Sequence, residues 1–269
     1  MLACKAMDDL LKAKTQTSLQ PLLAVAYSGG ADSTALLIET HKKHSRQTIA
    51  LHVHHGLQAA ADDFVQHCRR FCDALNVPLF VAYVNAKHMA GESPEDAARG
   101  ARYKALIDLA YAHGVVASGG KILLAQHADD QIETMILALS RGAGLGGLSA
   151  MPARFERGGV QFERPMLNQA SAEIRAALKA GDIAYIEDPT NSDKAFTRNK
   201  IRLDLLPALE AAFRNTERHF CAPFITLHRQ MTCLQALLVL TYRLSVFRQG
   251  SKICRACLST DKPTPSDIG

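Results

Sequence analysis

The segment AVAYSGGADS combines residue types that bind phosphate groups. A predicted apolar strand leads directly into a predicted helix, and Gly29 and Gly30 lie at the junction. Glycine lets the backbone approach an anion closely, and a helix N-terminus presents unpaired N–H groups and the positive end of a dipole. Ser28 and Ser33 add hydroxyl donors, and Asp32 is placed to hold a Mg²⁺ ion that bridges phosphates. The segment therefore predicts a nucleotide phosphate site.

This segment, residues 24–33, differs from the common P-loop because no lysine follows its glycines. The P-loop lysine reaches the β- and γ-phosphates. Its absence indicates that this segment binds another part of the nucleotide. The competing interpretation is a tight strand-to-helix turn in which Asp32 only caps the helix. The succession of a strand, two glycines, Asp32 and Ser33 in one segment favours phosphate binding over this interpretation.

A second group of acidic residues occurs in LAQHADDQIETMILALSRGAGLGGLSAMP, residues 124–152. Asp130 and Glu133 are three positions apart, so they share one face of a predicted helix, within its first turn. Paired carboxylates at that place can bind Mg²⁺ or an incoming ammonium group. The alternative is that they only complement the helix dipole. The glycine-rich part at 141–152 is predicted to be a mobile loop.

Alternating strands and helices must position these two groups. Strand-like runs lie at 22–28, 48–55, 78–84 and 121–126, and helical runs lie at 32–44, at 62–75, from Ser93 and Pro94 to about His113, and at about 129–140, 171–180 and 200–213. Strands that are apolar throughout and separated by helices predict a parallel sheet covered on both faces. Ligands of such sheets bind beyond the carboxyl ends of the strands. The loops after Ala26, Val53 and Ala125 are therefore expected to carry the chemistry.

Composition and charge exclude several classes of protein. The 269 residues are 48% hydrophobic and 21% charged with a formal net charge of +5, unlike a disordered, collagenous or disulfide-stapled chain. No apolar run is long enough to span a membrane, and the N-terminus lacks the pattern of a secretory signal. Seven cysteines without framework spacing predict a reducing, cytoplasmic setting.

The motif SGGADS resembles the PP-loop of the N-type ATP pyrophosphatases. That superfamily cleaves ATP between the α- and β-phosphates and transfers AMP to an oxygen of its substrate. Further motifs narrow the resemblance to the tRNA(Ile)-lysidine synthetase family. Beside the stretch at 124–152, they are HVHHGL at 52–57, ARYKAL at 101–106, RPML at 164–167, IEDPTN at 186–191 and RNKIR at 198–202. The resemblance covers about residues 20–218.

The resemblance implies an α/β fold, with a doubly wound parallel sheet of the adenine-nucleotide alpha-hydrolase-like type. It implies a catalytic domain at 1–218 and leaves 219–269 as a short, atypical C-terminal segment. The implied enzyme is a ligase that uses ATP and Mg²⁺. It adenylates the 2-carbonyl oxygen of the wobble cytidine in tRNA(Ile) with a CAU anticodon. The amine of L-lysine then displaces AMP and forms lysidine.

The resemblance also assigns roles to single residues. The phosphates of ATP would be bound by Ser28, Gly29, Gly30, Ala31, Asp32 and Ser33. Asp32 would hold Mg²⁺, and Asp130 and Glu133 match acidic positions that contact lysine or metal in the family. The attacking amine must be neutral, so one of these two carboxylates is expected to act as base. Arg102 matches an arginine that would face the lysine carboxylate, the alternative being a solvated helix face.

Histidines and further arginines complete the predicted site. His54 and His127 are expected to line the nucleotide cleft or to satisfy backbone groups, since no nearby cysteine has the spacing of a zinc site. Arg141 and the glycines after it are expected to become ordered when tRNA or nucleotide binds. Arg198, Asn199 and Arg202 are expected to contact phosphate, and the alternative is a cluster of charges at a helix start.

The residues from His219 onward match no motif of the family. They hold four of the seven cysteines, including Cys254 and Cys257 in C-R-A-C, and their only acidic residues are Asp261 and Asp267. A metal or redox role for this cysteine pair competes with a divergent, truncated or frame-shifted tail.

Two other functions remain open from the sequence. One is tRNA 2-thiocytidine synthesis by a related PP-loop enzyme, which needs cysteines or an iron–sulfur cluster near the nucleotide. Cys68 and Cys72 lie at helical spacing and are interpreted as structural. The other is a non-catalytic adenine-nucleotide-binding module, against which the presence of Asp32, Asp130 and Glu133 argues.

Overall fold

The computed structural model describes residues 20–54, 61–84 and 94–212. Its strands are β1 (Leu23–Ala26), β2 (Thr48–His54), β3 (Leu79–Tyr83), β4 (Lys121–Leu123), β5 (Arg154–Arg157) and β6 (Val160–Glu163). Its helices are α1 (Ala31–His44), α2 (Ala61–Ala74), α3 (Pro94–Ala112), α4 (Ala128–Ser140), α5 (Leu145–Leu148), α6 (Ser171–Ala180), α7 (Thr197–Lys200) and α8 (Leu206–Ala212). A 3₁₀ turn spans Pro189–Ser192, and a π-helical turn at Ile201–Leu205 joins α7 to α8.

The strands form one six-stranded sheet in the order β3-β2-β1-β4-β6-β5. β1 pairs in parallel with β2 and β4, so that Val25 lies opposite Ala50 on one side and Leu123 on the other. β6 continues the parallel pairing beside β4, and β5 is antiparallel at the edge. The carboxyl ends of β1, β2 and β4 therefore meet at one edge of the sheet.

Helices cover both faces of the sheet. Successive residues of β1 point to opposite faces, so each face has its own apolar cluster. Val25 belongs to an apolar cluster with Leu37 of α1 and Cys68 of α2. Its neighbour Ala24 belongs to a second cluster with Leu106 of α3. Four of these five residues have no exposed surface, and Leu106 has 3%. The doubly wound α/β class and the four predicted strands are thus confirmed.

Three features differ from the expectations from the sequence. The hairpin of β5 and β6 was missed, because three of the four residues of β5 are charged and no apolar run marks it. The glycine-rich loop contains the short helix α5. The helix predicted at about 200–213 begins at Thr197 and contains the π turn. Ile201 and Leu206 both pack against α4, and the wide turn brings residues five apart to the same face.

Some predicted features lie outside the described residues. They are the helix cap at Ser93, the end of the HVHHGL motif and the whole segment 219–269 with Cys254 and Cys257. The division of the chain at residue 218 therefore stays a prediction. In the part that the structure covers, no helix has the length and apolar content needed to cross a bilayer.

Candidate functional site

The turn between β1 and α1, called the phosphate loop (residues 28–33), is shaped by its two serines. Oγ of Ser33 accepts the N–H of Ser28 at 3.2 Å and donates to the carbonyl oxygen of Gly30 at 3.1 Å. Oγ of Ser28 lies 3.1 Å from Oγ of Ser33. The N-cap residue of α1 is Gly30, which has no side chain that could bond to the first turn of the helix. The N–H groups of that turn are therefore left for a ligand.

Gly29 is the point at which the phosphate loop approaches other segments most closely. Its φ of +88° is a conformation that L side chains rarely adopt. A Cβ here would lie 3.1 Å from Sγ of Cys68 on α2. On its other side, the carbonyl oxygen of Gly29 accepts the N–H of Ile186 at 3.0 Å. Ile186 begins the IEDPTN motif, so a backbone hydrogen bond joins two motifs that are far apart in the sequence.

His127 brings together carboxylates from the two predicted groups. Its Nε2 lies 3.6 Å from Oδ2 of Asp32 and 3.5 Å from Oδ2 of Asp130. The backbone N–H of His127 donates to the same oxygen of Asp130 at 3.0 Å. On the other side of the ring, Nδ1 lies 3.7 Å from Oδ2 of Asp129, which the sequence reasoning did not single out. The loops after β1 and β4 thus meet, as their common edge predicts.

Asp32, Asp130 and Glu133 together are called the acidic group. Glu133 lies deepest in it and has no exposed surface. Nε of Arg202, in the π turn, donates to its Oε1 at 2.7 Å, and a second nitrogen of Arg202 lies 3.5 Å from Oδ1 of Asp130. Burial raises the pKa of Glu133, although the charge of Arg202 opposes the shift. Burial lowers the pKa of Arg202, but the charges of Glu133 and Asp130 outweigh it and the net shift is upward. Glu133 is therefore a better proton acceptor than an exposed glutamate.

The oxygens of Asp32 and Asp130 suit a magnesium ion. Oδ1 of Asp32 is buried and has no hydrogen-bond partner among the described residues. Burial raises the pKa of Asp32, while His127 lowers it and Asp130 raises it further. Mg²⁺ usually takes one or two carboxylates and completes its shell with phosphate and water oxygens. Accordingly, the described ranges contain no cluster of three or more His, Cys, Asp or Glu residues that forms a complete metal centre by itself.

Two polar side chains that the sequence reasoning missed hold the segments around the acidic group. Gln131 makes two bonds to the backbone of Met151, donating from Nε2 at 3.0 Å and accepting at Oε1 at 2.8 Å. The buried Arg164 donates to Oε1 of Gln126 at 3.0 Å and to the carbonyl oxygen of Pro152 at 2.7 Å. The end of the glycine-rich segment is thereby tied to α4 and to the residue after β6. The RPML motif was the only sequence signal for Arg164.

Asn199 of the RNKIR motif was expected to contact phosphate, but it is buried and holds the backbone instead. Its Nδ2 donates to the carbonyl oxygens of Thr190 and Asp193, both at 2.8 Å. The carboxylate of Asp188 accepts the N–H of Thr190 at 2.9 Å and so caps the same turn. Asn199 therefore holds the IEDPTN turn, whose residue Ile186 bonds to the phosphate loop.

The remaining predicted residues are spread over neighbouring elements. Arg102 is exposed on α3, and Arg141 is exposed directly after α4. His54 is half-buried at the end of β2, and Arg198 is half-buried in α7. Arg202 was expected at an RNA phosphate, but its nitrogens face two carboxylates of the acidic group. The contacts of Arg141 and Arg198 with RNA, and of Arg102 with lysine, stay predictions.

Cys68 and Cys72 lie in the core behind the phosphate loop and have no exposed surface. Burial raises the pKa of each thiol to about 12. Because the thiolate is the form that binds metal and attacks sulfur, neither residue suits an iron–sulfur cluster or a sulfur carrier. Both cysteines pack in the apolar cluster of Val25, in agreement with the structural interpretation.

Comparison with known proteins identifies the family. Residues 4–209 match the PP-loop domain family. The tRNA(Ile)-lysidine synthase of Polaromonas naphthalenivorans is 52% identical over 237 residues, which cover 88% of this chain and 70% of that protein. The chain belongs to the tRNA(Ile)-lysidine synthase family. The family resemblance inferred from the motifs is confirmed.

Other lysidine synthases are much longer than this chain. The tRNA(Ile)-lysidine synthase of Pseudomonas aeruginosa is 44% identical over 189 residues, which cover 69% of this chain and 41% of that protein. The chain thus spans about two fifths of the length of that lysidine synthase. The 237 residues that align with the Polaromonas enzyme are more than the segment 1–218 contains. The likeness to that lysidine synthase therefore continues past residue 218, where no match was expected.

A solved structure agrees on the fold of this lysidine synthase family member. The U34-tRNA thiolase NcsA from Methanococcus maripaludis, with its [4Fe-4S] cluster, matches with a TM-score of 0.65. The match covers 79% of this chain and 74% of that one at 15% identity. At this identity the likeness concerns the fold alone, and it agrees with the α/β class.

Proposed function

We propose that this chain joins L-lysine to the wobble cytidine of tRNA(Ile) with a CAU anticodon, using ATP and forming lysidine, AMP and pyrophosphate. The supporting observation is the acidic group of Asp32, Asp130 and Glu133 beside the phosphate loop, in a chain of the lysidine synthase family. A reaction that needs ATP and tRNA places the enzyme in the cytoplasm.

The first step forms a bond between the 2-carbonyl oxygen of cytidine and the α-phosphorus of ATP, and pyrophosphate leaves. Charge grows on the leaving oxygens, so donors fixed in advance lower the barrier. The free N–H groups at the start of α1 and the hydroxyls of Ser28 and Ser33 supply such donors. Asp32 and Asp130 would hold a Mg²⁺ ion, which neutralises phosphate charge.

The second step forms a bond between the lysine amine nitrogen and C2 of the cytidine, and AMP leaves with the oxygen. The attacking ammonium must first lose a proton, and the nitrogen loses another after it has bonded. Glu133 suits this transfer, because its pKa is raised and its Oε2 has no hydrogen-bond partner among the described residues. Asp130 supplies a second negative charge for the ammonium group. Arg102 would bind the lysine carboxylate, and Arg141 and Arg198 would contact RNA phosphates. Arg202 would instead hold the carboxylate of Glu133 in place through its hydrogen bond to Oε1.

The test is lysine incorporation by the full chain. With ATP, labelled lysine and a tRNA(Ile) transcript, we expect label in the RNA and equal amounts of AMP and pyrophosphate. Formation of ADP, or ATP binding without any AMP, contradicts the proposal, and sulfur incorporation supports thiolation instead.

Two variants test the acidic group. Asp130→Ala and Glu133→Ala should each abolish lysine incorporation, because each removes an anionic partner of the ammonium group. Asp204→Ala is the matched control, since Asp204 is exposed and pairs with Lys194 on the surface. Undiminished turnover in both variants at the acidic group would overturn the roles given to them.

A further inference from the structure

Two aromatic rings lie side by side at the outer part of the edge where ligands are expected. His54 is the last residue of β2 and Tyr83 the last residue of β3, and the two are direct partners in the parallel ladder. Their ring centroids are 5.0 Å apart, and their planes are tilted by 47°. The N–H of Val84 donates to the carbonyl oxygen of His54 at 2.8 Å, so the strand ends that carry the two rings are held side by side.

The two rings differ in exposure. His54 is half-buried, whereas Tyr83 is 65% exposed, the highest value among the large hydrophobic side chains of the described ranges. Single exposed aromatics are common on protein surfaces. Tyr83, however, lies at the end of β3, in a row with His54 at the end of β2 and the phosphate loop after β1. Because strands are about 4.8 Å apart, the row leads stepwise from the phosphate site to open surface.

We propose that His54 and Tyr83 form a stacking surface for an unpaired base of the RNA substrate. The inference rests on the proposed function, which provides a single-stranded anticodon loop. Proteins recognise such loops by stacking exposed bases on aromatic side chains. Stacking tolerates any base, because every base has a π-face.

The openness of this surface favours an RNA base over the adenine of ATP. Sites for small ligands enclose most of the ligand's surface. Tyr83 is mostly exposed and offers a face rather than an enclosure. A base of an anticodon loop is also held through its own backbone, so one stacking face is enough to add affinity. The adenine of ATP is expected on the buried side of His54, towards the phosphate loop.

Fluorescence gives a direct test, because the chain contains no tryptophan. Tyr83→Trp introduces a single reporter, and we expect the anticodon stem-loop of tRNA(Ile) to quench its emission saturably while ATP alone leaves it unchanged. Tyr111→Trp is the matched control, since Tyr111 is 54% exposed on α3 and its emission should not respond to the RNA. Quenching of the Tyr83→Trp variant by ATP alone, or equal quenching of both variants by RNA, overturns the proposal.

Kinetics separate stacking from a purely structural role of Tyr83. Tyr83→Ala should raise the KM for tRNA by about 5- to 100-fold and leave the KM for ATP and for lysine unchanged. Tyr83→Phe keeps the π-face and should keep the wild-type KM for tRNA. An unchanged KM for tRNA in Tyr83→Ala, with normal lysidine formation by the wild type, defeats the stacking surface alone. Absence of lysidine formation by the wild type defeats the proposed function.

Discussion

Asp32 and Glu133 are carboxylates of one site, but their surroundings differ. The side chain of Asp32 is 30% exposed beside the phosphate loop, and its Oδ1 has no hydrogen-bond partner among the described residues. Glu133 has no exposed surface, and Arg202 donates to one of its oxygens at 2.7 Å. Burial raises the pKa of both groups, so neither charge is favourable for the folded protein without a partner.

The comparison shows that one part of the site is positioned by its own loop and another part by a segment distant in the sequence. Asp32 is positioned by its own loop, through the hydroxyls and glycines of residues 28–33. Glu133 depends on Arg202, which comes from the π turn near the end of the described chain. Asp32 is arranged to meet a ligand, while Glu133 already has a partner within the protein.

The largest effect is expected at Asp32. Asp32→Asn should lower the rate of pyrophosphate release about 10²- to 10³-fold, since it removes a carboxylate that would hold Mg²⁺ at the reacting phosphates. The free energy of unfolding should stay equal or rise, because burial already disfavours this charge. The measurements are ATP–pyrophosphate exchange and urea unfolding.

The matched control for Asp32 is Glu39→Gln on the same helix. Glu39 is exposed and pairs with Lys43 across one turn at 3.8 Å. Its replacement should leave exchange unchanged. A similar loss of rate in Asp32→Asn and Glu39→Gln would show that α1 as a whole, not the carboxylate of Asp32, supports the reaction.

An intermediate effect, on the free energy of unfolding, is expected at the pair of Arg202 and Glu133. Arg202→Met should lower the free energy of unfolding by about 2–3 kcal/mol, because Glu133 is left buried without its cation. The value is below that of a fully buried pair since the side chain of Arg202 is 37% exposed.

The double variant Arg202→Met with Glu133→Gln should regain most of this loss, since a neutral amide needs no counter-charge. Urea unfolding of Arg202→Met, Glu133→Gln, the double variant and the wild type measures the coupling free energy between the two residues. Strictly additive losses in the double variant would contradict a direct pairing of the two groups.

The smallest effect is expected at the phosphate loop backbone. Gly29→Ala should lower the free energy of unfolding by about 1–2 kcal/mol, because of the positive φ and the close Sγ of Cys68. Gly100→Ala on α3 is the control, as a Cβ there meets nothing within 4 Å. The control should stabilise the protein by up to ~1 kcal/mol, since alanine favours helix. Equal shifts in thermal unfolding for the two variants would refute the strain at Gly29.

Much of the fold and part of the site could be predicted from the sequence. Apolar strands and amphipathic helices are local patterns, and parallel pairing then places the phosphate loop and Asp130 at one edge. A glycine that shapes the strand-to-helix turn was predictable at position 29, and its φ of +88° agrees with that prediction. The contact of Asp32 and Asp130 through His127 follows from the same edge.

The rest depends on contacts between distant segments. Glu133 and Arg202 are 69 positions apart, and no single-sequence pattern states that they meet. The depth of Glu133 depends on the packing of the π turn and α8 over α4. The hairpin of β5 and β6 was missed because charged edge residues carry no strand pattern. Gln131 and Arg164 act through backbone groups, which have no residue-specific signal.

The hydrogen bond from Ile186 to Gly29 has a consequence for how the protein matures. Synthesis proceeds from the N-terminus, so Gly29 leaves the ribosome long before Ile186 does. Because contacts of high sequence separation are slow to form, we expect the turn at Gly29 to reach its final shape late in folding. A nascent chain can have its central strands paired and still lack a finished nucleotide site until residue 186 has emerged.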